Sequence, residues 1–316
     1  MRSHKRETSD ALLILSLALC LAVPTRAIPA LGANDDDLAQ RIETLLNTLL
    51  TTTDDKEEAA AKAEVLEIFT REGLPKLSEV GDKAAYDFVF LLVGTGELDP
   101  GVQIRVFEKA REAAARGELP ADAAVFCEAH MRLEKAKKAA AARTPSNPEL
   151  RDEIENLVKS DQAARQQEGF DPKKMEEVDK RNAVPLLAVF QRYGVPTYDM
   201  VGPQAAGDFV IMVQHHSAEL RKAILPGLNA NVAAEQADPD SYALVFDRSR
   251  RDEGRKQFYG TQLECGLDRQ LHEAPLEDEA HVNERRAEFG LMRMELYARL
   301  VKEMSPPVCQ PPAAKP

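Results

Sequence analysis

Three short stretches bring together side chains able to do chemistry: "VQHH" at 213–216, "FDRSR" at 246–250 and "KQFYGTQ" at 256–262. Histidine is the side chain whose ordinary pKa lies closest to neutrality, so His215 suits proton transfer or a structural hydrogen bond, while His216 reads as a histidine satisfied by a backbone carbonyl at a helix end. Projected along a helix, Ala205, Phe209, Val210, Val213 and His216 share one arc, while Gln214 and His215 fall outside it. If the helix reaches that far, His216 faces the core, and His215 faces a pocket or solvent. Two adjacent histidines on a helix point about 100° apart and rarely grip one ion, which weighs against a metal.

Asp247 and Arg248 admit two roles. They form an ion pair at a helix C-terminus, or Asp247 orients a histidine while Arg248 holds an anionic group. Read as a strand, "KQFYGTQ" sets Gln257, Tyr259 and Thr261 on one face and Phe258 and Gln262 on the other, with Gly260 allowing a close approach to the backbone. Such a run of uncharged hydrogen-bonding groups makes either the wall of a polar-ligand pocket or a well-satisfied connection between helices. Arg285 and Arg286 in "NERRAEFGL" are placed to pair with Asp247 or with the acidic residues 277–279.

The elements that must position these groups are mostly helices. Leucines and isoleucines at 38, 42, 45, 46, 49 and 50 follow a helical period. A second helix is expected over 54–72 with Gly73 to end it, a third over "AAYDFVFLLV", a fourth capped by Asp99 and stopping near Gly117, and a fifth over 121–142. The polar, Pro-containing run that follows predicts a domain boundary near 143. Beyond it come helices over about 148–166 and from Pro185 to Gly194, a hairpin around Gly266, and a last helix over 279–304.

Residues 71–92 and 192–213 align without a gap, sharing Gly73/Gly194, Pro75/Pro196, Gly81/Gly202, Ala84/Ala205, Ala85/Ala206, Asp87/Asp208, Phe88/Phe209 and Val89/Val210 among others. A weaker likeness joins "AVF" at 124–126 to "LVF" at 244–246. This predicts a mainly α protein of two related multi-helix units: an amino-terminal one over 34–143, and a second over 144–304 that carries a short β-hairpin. The shared residues are explained by packing alone. The three polar stretches are what the second unit adds.

The amino terminus reads as an export signal: Arg2, Lys5 and Arg6, then an apolar run from Ala11 to Val23, then small residues, with cleavage after Ala27 or Ala33. The run is too short for a membrane span, and no later segment approaches the roughly 20 apolar residues one requires. Export to the periplasm or the extracellular space is therefore expected, with no transmembrane segment. Removing residues 1–27 takes the net charge from −12 to about −14, which argues against nucleic acid as a partner. Of the remaining cysteines, Cys265 and Cys309 are able to bridge and pin the Pro-rich tail, 305–316, leaving Cys127; the odd count leaves the pairing open. No spacing fits a metal site, and no cofactor is expected.

In order, "RYGVPTYDMVG", "AAGDFVIMVQHH", "VFDRSR", "KQFYGTQ" and "VNERRAEFGL" closely resemble a bacterial family known as domain of unknown function 6624, over about residues 171–303. The resemblance marks Gln214, His215, Asp247, Arg248, Gln257, Tyr259, Gly260, Thr261, Gln262 and Arg286 as the motif positions. Relatives usually read "QHAD" where this chain reads "QHHS", so His216 and Ser217 replace Ala and Asp. The family brings no established activity. The residues predict a polar pocket in the second unit lined by His215, Asp247, Tyr259, Thr261 and Gln262, with His215, Asp247 and Arg248 as its reactive set, and the resemblance adds Gln214, Gln257, Gly260 and Arg286 around them. It would bind a small molecule or a peptide end, with hydrolysis through His215 as general base as an extension. The alternative is a non-catalytic interaction or scaffold module whose polar motifs lock helix ends and hairpin together.

Overall fold

The structure, a computed structural model, describes residues 35–94, 98–165, 172–304 and 309. The export signal, its two cleavage points and all of the Pro-rich tail except Cys309 lie outside the described residues. Thirteen helices and one two-stranded antiparallel sheet make up the described chain, so the protein is mainly α with a short β-hairpin. It divides into two compact units: residues up to 131 together with 286–304, and residues 132–285 together with Cys309. The expected boundary lay near 143. Ala140 instead packs in the second core, and Lys137 pairs with Asp238 Oδ2 at 3.0 Å.

In the first unit α1 (Asp35–Thr51), α2 (Asp55–Glu72) and α3 (Leu77–Gly94) pack against one another, and α4 (Pro100–Ala115) joins α3. Their core is the expected apolar stripe, with Ile42, Leu46, Ile68, Phe88, Val89 and Leu92 buried. Helix α5 (Ala121–Ala141) adds Phe126 and Cys127 to it. The last helix expected from sequence is two: α12 (Val282–Glu288) and α13 (Met294–Met304). Gly290, at φ 71°, stops the first, and the backbone N–H groups of Gly290 and Leu291 return to the carbonyls of Ala287 and Arg286. Arg293, just before α13, meets Asp122 and Asp82 through 2.5–2.7 Å contacts and lies 4.3 Å over the Tyr86 ring. Burial opposes its charge, and the two carboxylates outweigh that cost and hold its pKa above the usual arginine value.

The second unit opens with α6 (Pro148–Arg165) and α7 (Pro172–Tyr193). Pro185 was expected to begin a helix and sits inside α7 instead. The stripe Val178, Asn182, Leu186 and Val189, all buried, carries the helix through it, because the packing of that face outweighs the one missing N–H. A single-turn helix, α8 (Tyr198–Val201), leads into α9 (Pro203–Gln214), followed by α10 (Ala218–Ala233) and α11 (Pro239–Asp252). Ser146 and Asn147 donate to the carbonyls of Asp199 and Met200, which sets the start of α6 beside the start of α9. The two helices then run side by side in the same direction. Strands β1 (Leu263–Cys265) and β2 (Leu271–Glu273) form the hairpin around Gly266 that the sequence suggests. A Cβ at Gly266 would lie 2.5 Å from Asp268 Oδ1 and 2.7 Å from the His272 ring, so any other residue in this turn would push those two exposed side chains aside.

The stretches aligned in the sequence share local geometry. Gly81 breaks α3 at φ 80°, and Gly202 separates α8 from α9 at φ 83°, a left-handed conformation that a Cβ would strain. One turn into each helix lies a buried aspartate. Asp87 pairs with Lys83 at 2.8 Å, whereas Asp208 has only the neutral amide of Gln204 at 3.0 Å. Burial, with Glu155 nearby, therefore pushes the Asp208 carboxyl up to about 6. A raised folded-state pKa means that Asp208 contributes stability below its unfolded value near 4, and that this is lost as pH rises through 6. Asp208→Asn should accordingly stabilise the protein by about 1–3 kcal/mol at pH 8. The gain should shrink as pH falls from 6 toward 4, as read from urea unfolding midpoints across that range.

Candidate functional site

Helix α11 is started by Asp238, whose side chain accepts from Asp240 N at 2.9 Å, and by Pro239 in its first turn. It presents Asp247 inward, where the residue is fully buried. An isolated buried carboxylate would cost several kcal/mol, so its partners decide what it does. They are the backbone of the next segment. Phe258 N donates at 2.6 Å, Tyr259 N at 3.0 Å, Thr261 N at 3.0 Å and Thr261 Oγ1 at 2.9 Å. Gly260, at φ 77°, turns the chain so that the N–H groups on either side of it converge on one carboxylate.

"KQFYGTQ" is therefore no strand. It is a loop folded around an anion, tied to the following residues at its two ends, where Gln257 bridges Leu276 and Gln262 O accepts from Ala274 N at 3.0 Å. Gln257 is fully buried and spends its amide inside the loop: Nε2 donates to the carbonyls of Ala274 at 2.6 Å and Gln262 at 3.2 Å, and Oε1 accepts from Gln262 N at 2.8 Å. The Gln262 amide donates to Thr261 Oγ1 at 3.1 Å and more weakly to Leu244 O at 3.4 Å. Tyr259 is buried with Tyr242, Phe246 and Phe258 in an aromatic cluster whose edge-on ring pairs lie 5.1–6.3 Å apart. Arg285 closes it, donating to Phe258 O at 3.0 Å and lying 4.5 Å over the Phe258 ring.

The reactive set named from sequence does not assemble around Asp247. Among the described residues, no hydrogen bond or ion pair joins His215 to Asp247. Arg286 is a member of the first unit, fully buried, donating to Met292 O at 2.5 Å and stacked 5.0 Å from the Tyr297 ring. It holds the break between α12 and α13. Of the ion pairs expected of Arg285 and Arg286 with acidic residues, Arg285 makes one with Asp278, at 3.4 Å.

His215 has different neighbours. Helix α9 ends at Gln214, short of the histidines, so the face computed for His216 does not apply and both residues are half-exposed. The end is held by Arg221 of α10, which is buried and donates to the carbonyls of Gln214, at 3.1 Å, and His216. The rest of its guanidinium binds Asp252 Oδ2 at 2.6 and 3.0 Å. A cation on the carbonyl end of a helix both caps it and offsets its dipole. Beside His215, Asp161 of α6 brings Oδ2 to 3.7 Å from Nδ1, a ring nitrogen that is buried with no hydrogen-bond partner. Asp161 is itself buried. Asn182 Nδ2 on α7 and Ser249 Oγ on α11 are likewise buried without a partner.

Asp161 is the residue that sequence reasoning missed. Its signal was available: with Leu150, Ile154 and Leu157 it falls on the inward stripe of α6, where an apolar side chain belongs. Asn182 occupies the same kind of position on α7. A polar residue in an apolar stripe is a better pointer to a site than a polar residue in a polar loop, because burying a polar group is costly and calls for a specific reason.

The loop around Asp247 makes a direct prediction. Asp247→Asn replaces an acceptor with a donor facing N–H groups, and should cost about 3–5 kcal/mol, with amide exchange at Phe258, Tyr259 and Thr261 rising well before global unfolding. A variant as stable as the parent would show that the carboxylate does not hold the loop.

Apart from Arg286, which holds the break between α12 and α13, the motif residues thus fall on an internally bonded loop with the helix that faces it and on an open helix end. A family model described as a family of unknown function, DUF6624, matches residues 148–306. No curated protein and no solved structure matches the chain. Matched over half of its 316 residues, the chain belongs to the family of unknown function DUF6624.

Proposed function

We propose that the second unit is an exported binding module for a polar small molecule or peptide end, received where α9 ends at His215. The observation that carries this reading is the combination at His215: a half-exposed imidazole with a buried, unpartnered Nδ1 and a buried carboxylate 3.7 Å away. A modest closure on binding would bring Asp161 within hydrogen-bond reach of Nδ1, fix the tautomer and leave Nε2 for the ligand. Were the ligand hydrolysed, His215 would serve as general base toward a water, with Arg248 steadying negative charge. Export is supported by the basic-apolar-small order of residues 1–27 and by the disulfide between Cys265 and Cys309, a bond typical of oxidising compartments.

A second reading, a non-catalytic interaction or scaffold module, is favoured by one observation. Gln257, Thr261 and Gln262 spend their polar groups on one another and on the backbone, as side chains retained for folding would. The two readings separate at His215. In a thermal-shift screen of polar metabolites and short peptides, the parent protein should be stabilised by a ligand class that leaves His215→Ala unmoved, while the variant without ligand melts within about 2–4 °C of the parent. A large loss of melting temperature in His215→Ala, together with no stabilising compound for the parent, would establish the scaffold reading.

The export proposal has its own check. Protein recovered outside the cytoplasm of an exporting host should begin at Ile28 or Asn34 by amino-terminal sequencing and contain one free thiol, that of Cys127.

A further inference from the structure

We propose that the ligand received at His215 carries an anionic group, a carboxylate or a phosphate, which the guanidinium of Arg248 grips beside the amide of Gln214. The inference rests on the binding reading above and adds the chemical class of the ligand.

Charge accounting around the helix end leads there. Two arginines meet at this place with one carboxylate between them. Arg221 is consumed: it binds Asp252 Oδ2 at 2.6 and 3.0 Å and caps the carbonyls of Gln214 and His216. Arg248 stands one turn before Asp252 on α11, so the two side chains share a face, and the carboxylate they share it with is the one that Arg221 binds. Arg248 is exposed and has no hydrogen bond or ion pair among the described residues. Neighbouring protein that limits its hydration, and then the charge of Arg221, hold its pKa below the ordinary arginine value, while Asp252 acts the other way. The pair lacks one negative charge. A guanidinium fork is shaped to take it from a carboxylate or a phosphate through two parallel N–H bonds.

The second observation is independent of charge. Gln214 is only 9% exposed, and its side-chain amide has no hydrogen bond among the described residues. The amide itself is not sealed from solvent, so it is open to a ligand without first breaking a bond within the protein. Its N–H groups suit the same anion, or the polar body attached to it. The other charges nearby are accounted for: Asp161 faces His215, and Glu219 turns its carboxylate back onto its own backbone N–H and the Ser217 hydroxyl at the start of α10.

The test uses the full chain, with inorganic phosphate and succinate as probes, glucose as a neutral control, and ionic strength held constant with sodium chloride. Phosphate or succinate at millimolar concentration should raise the melting temperature of the parent by about 3 °C or more, and the arm that does so names the group. Arg248→Gln should abolish that shift while melting within about a degree of the parent without ligand, and Arg248→Lys should keep part of it. Equal stabilisation of parent and Arg248→Gln, or no response to either anion, overturns the inference. If neutral compounds stabilise the parent through His215 while both anions fail, the binding site stands and its anionic preference is wrong.

Discussion

The carboxylate of Asp247 is the constraint on which the carboxy-terminal half of the second unit depends. It lies fully buried at the inward face of α11, and three backbone N–H groups with one hydroxyl converge on it from residues 258–261. Without it, those donors would be buried and unpaired in a segment that has neither helical nor ladder hydrogen bonds of its own. Much else is built outward from that anchor. Gln257 ties the loop to the stretch at 274–275, the hairpin follows, and the Cys265–Cys309 bond fastens the chain beyond the helices to the hairpin.

That anchor divides the family's polar motif residues by what they do. Asp247, Gln257, Gly260, Thr261 and Gln262 form one internally bonded network, and Tyr259 is its aromatic lid. Gln214, His215 and Arg248 are different: they stand at a helix end with polar groups left open. A buried network that satisfies itself rigidifies the fold, and polar groups that remain open after folding are the ones available to something else. The carboxylate that faces His215 is that of Asp161, on another helix, and not that of Asp247.

The two stretches of like sequence show how little is needed to change a packing module. Gly81 and Gly202 hold the same left-handed conformation, and Phe88 and Phe209 are buried alike. One exchange, Lys83 against Gln204, leaves Asp87 with an ion pair and Asp208 with a single neutral donor. At the far end "LVGT" stands against "VQHH" in the sequence, and the latter ends beside a buried carboxylate.

By itself the sequence determined the periodic things: a mainly α chain, most of its helix positions, the hairpin around Gly266, and the family, through motifs whose order and spacing are local. Those follow from apolar repeats, capping residues and glycines, which act over a few residues and leave a readable pattern. It was wrong where the decision lay between distant segments. "KQFYGTQ" has the alternation of a strand, and a carboxylate a dozen residues away takes its N–H groups instead. Pro185 looks like a helix start, and the buried face of α7 overrides it. Only tertiary structure decided which polar residues are spent and which are open, because that depends on whether a donor and an acceptor from separate elements come within about 3 Å of each other.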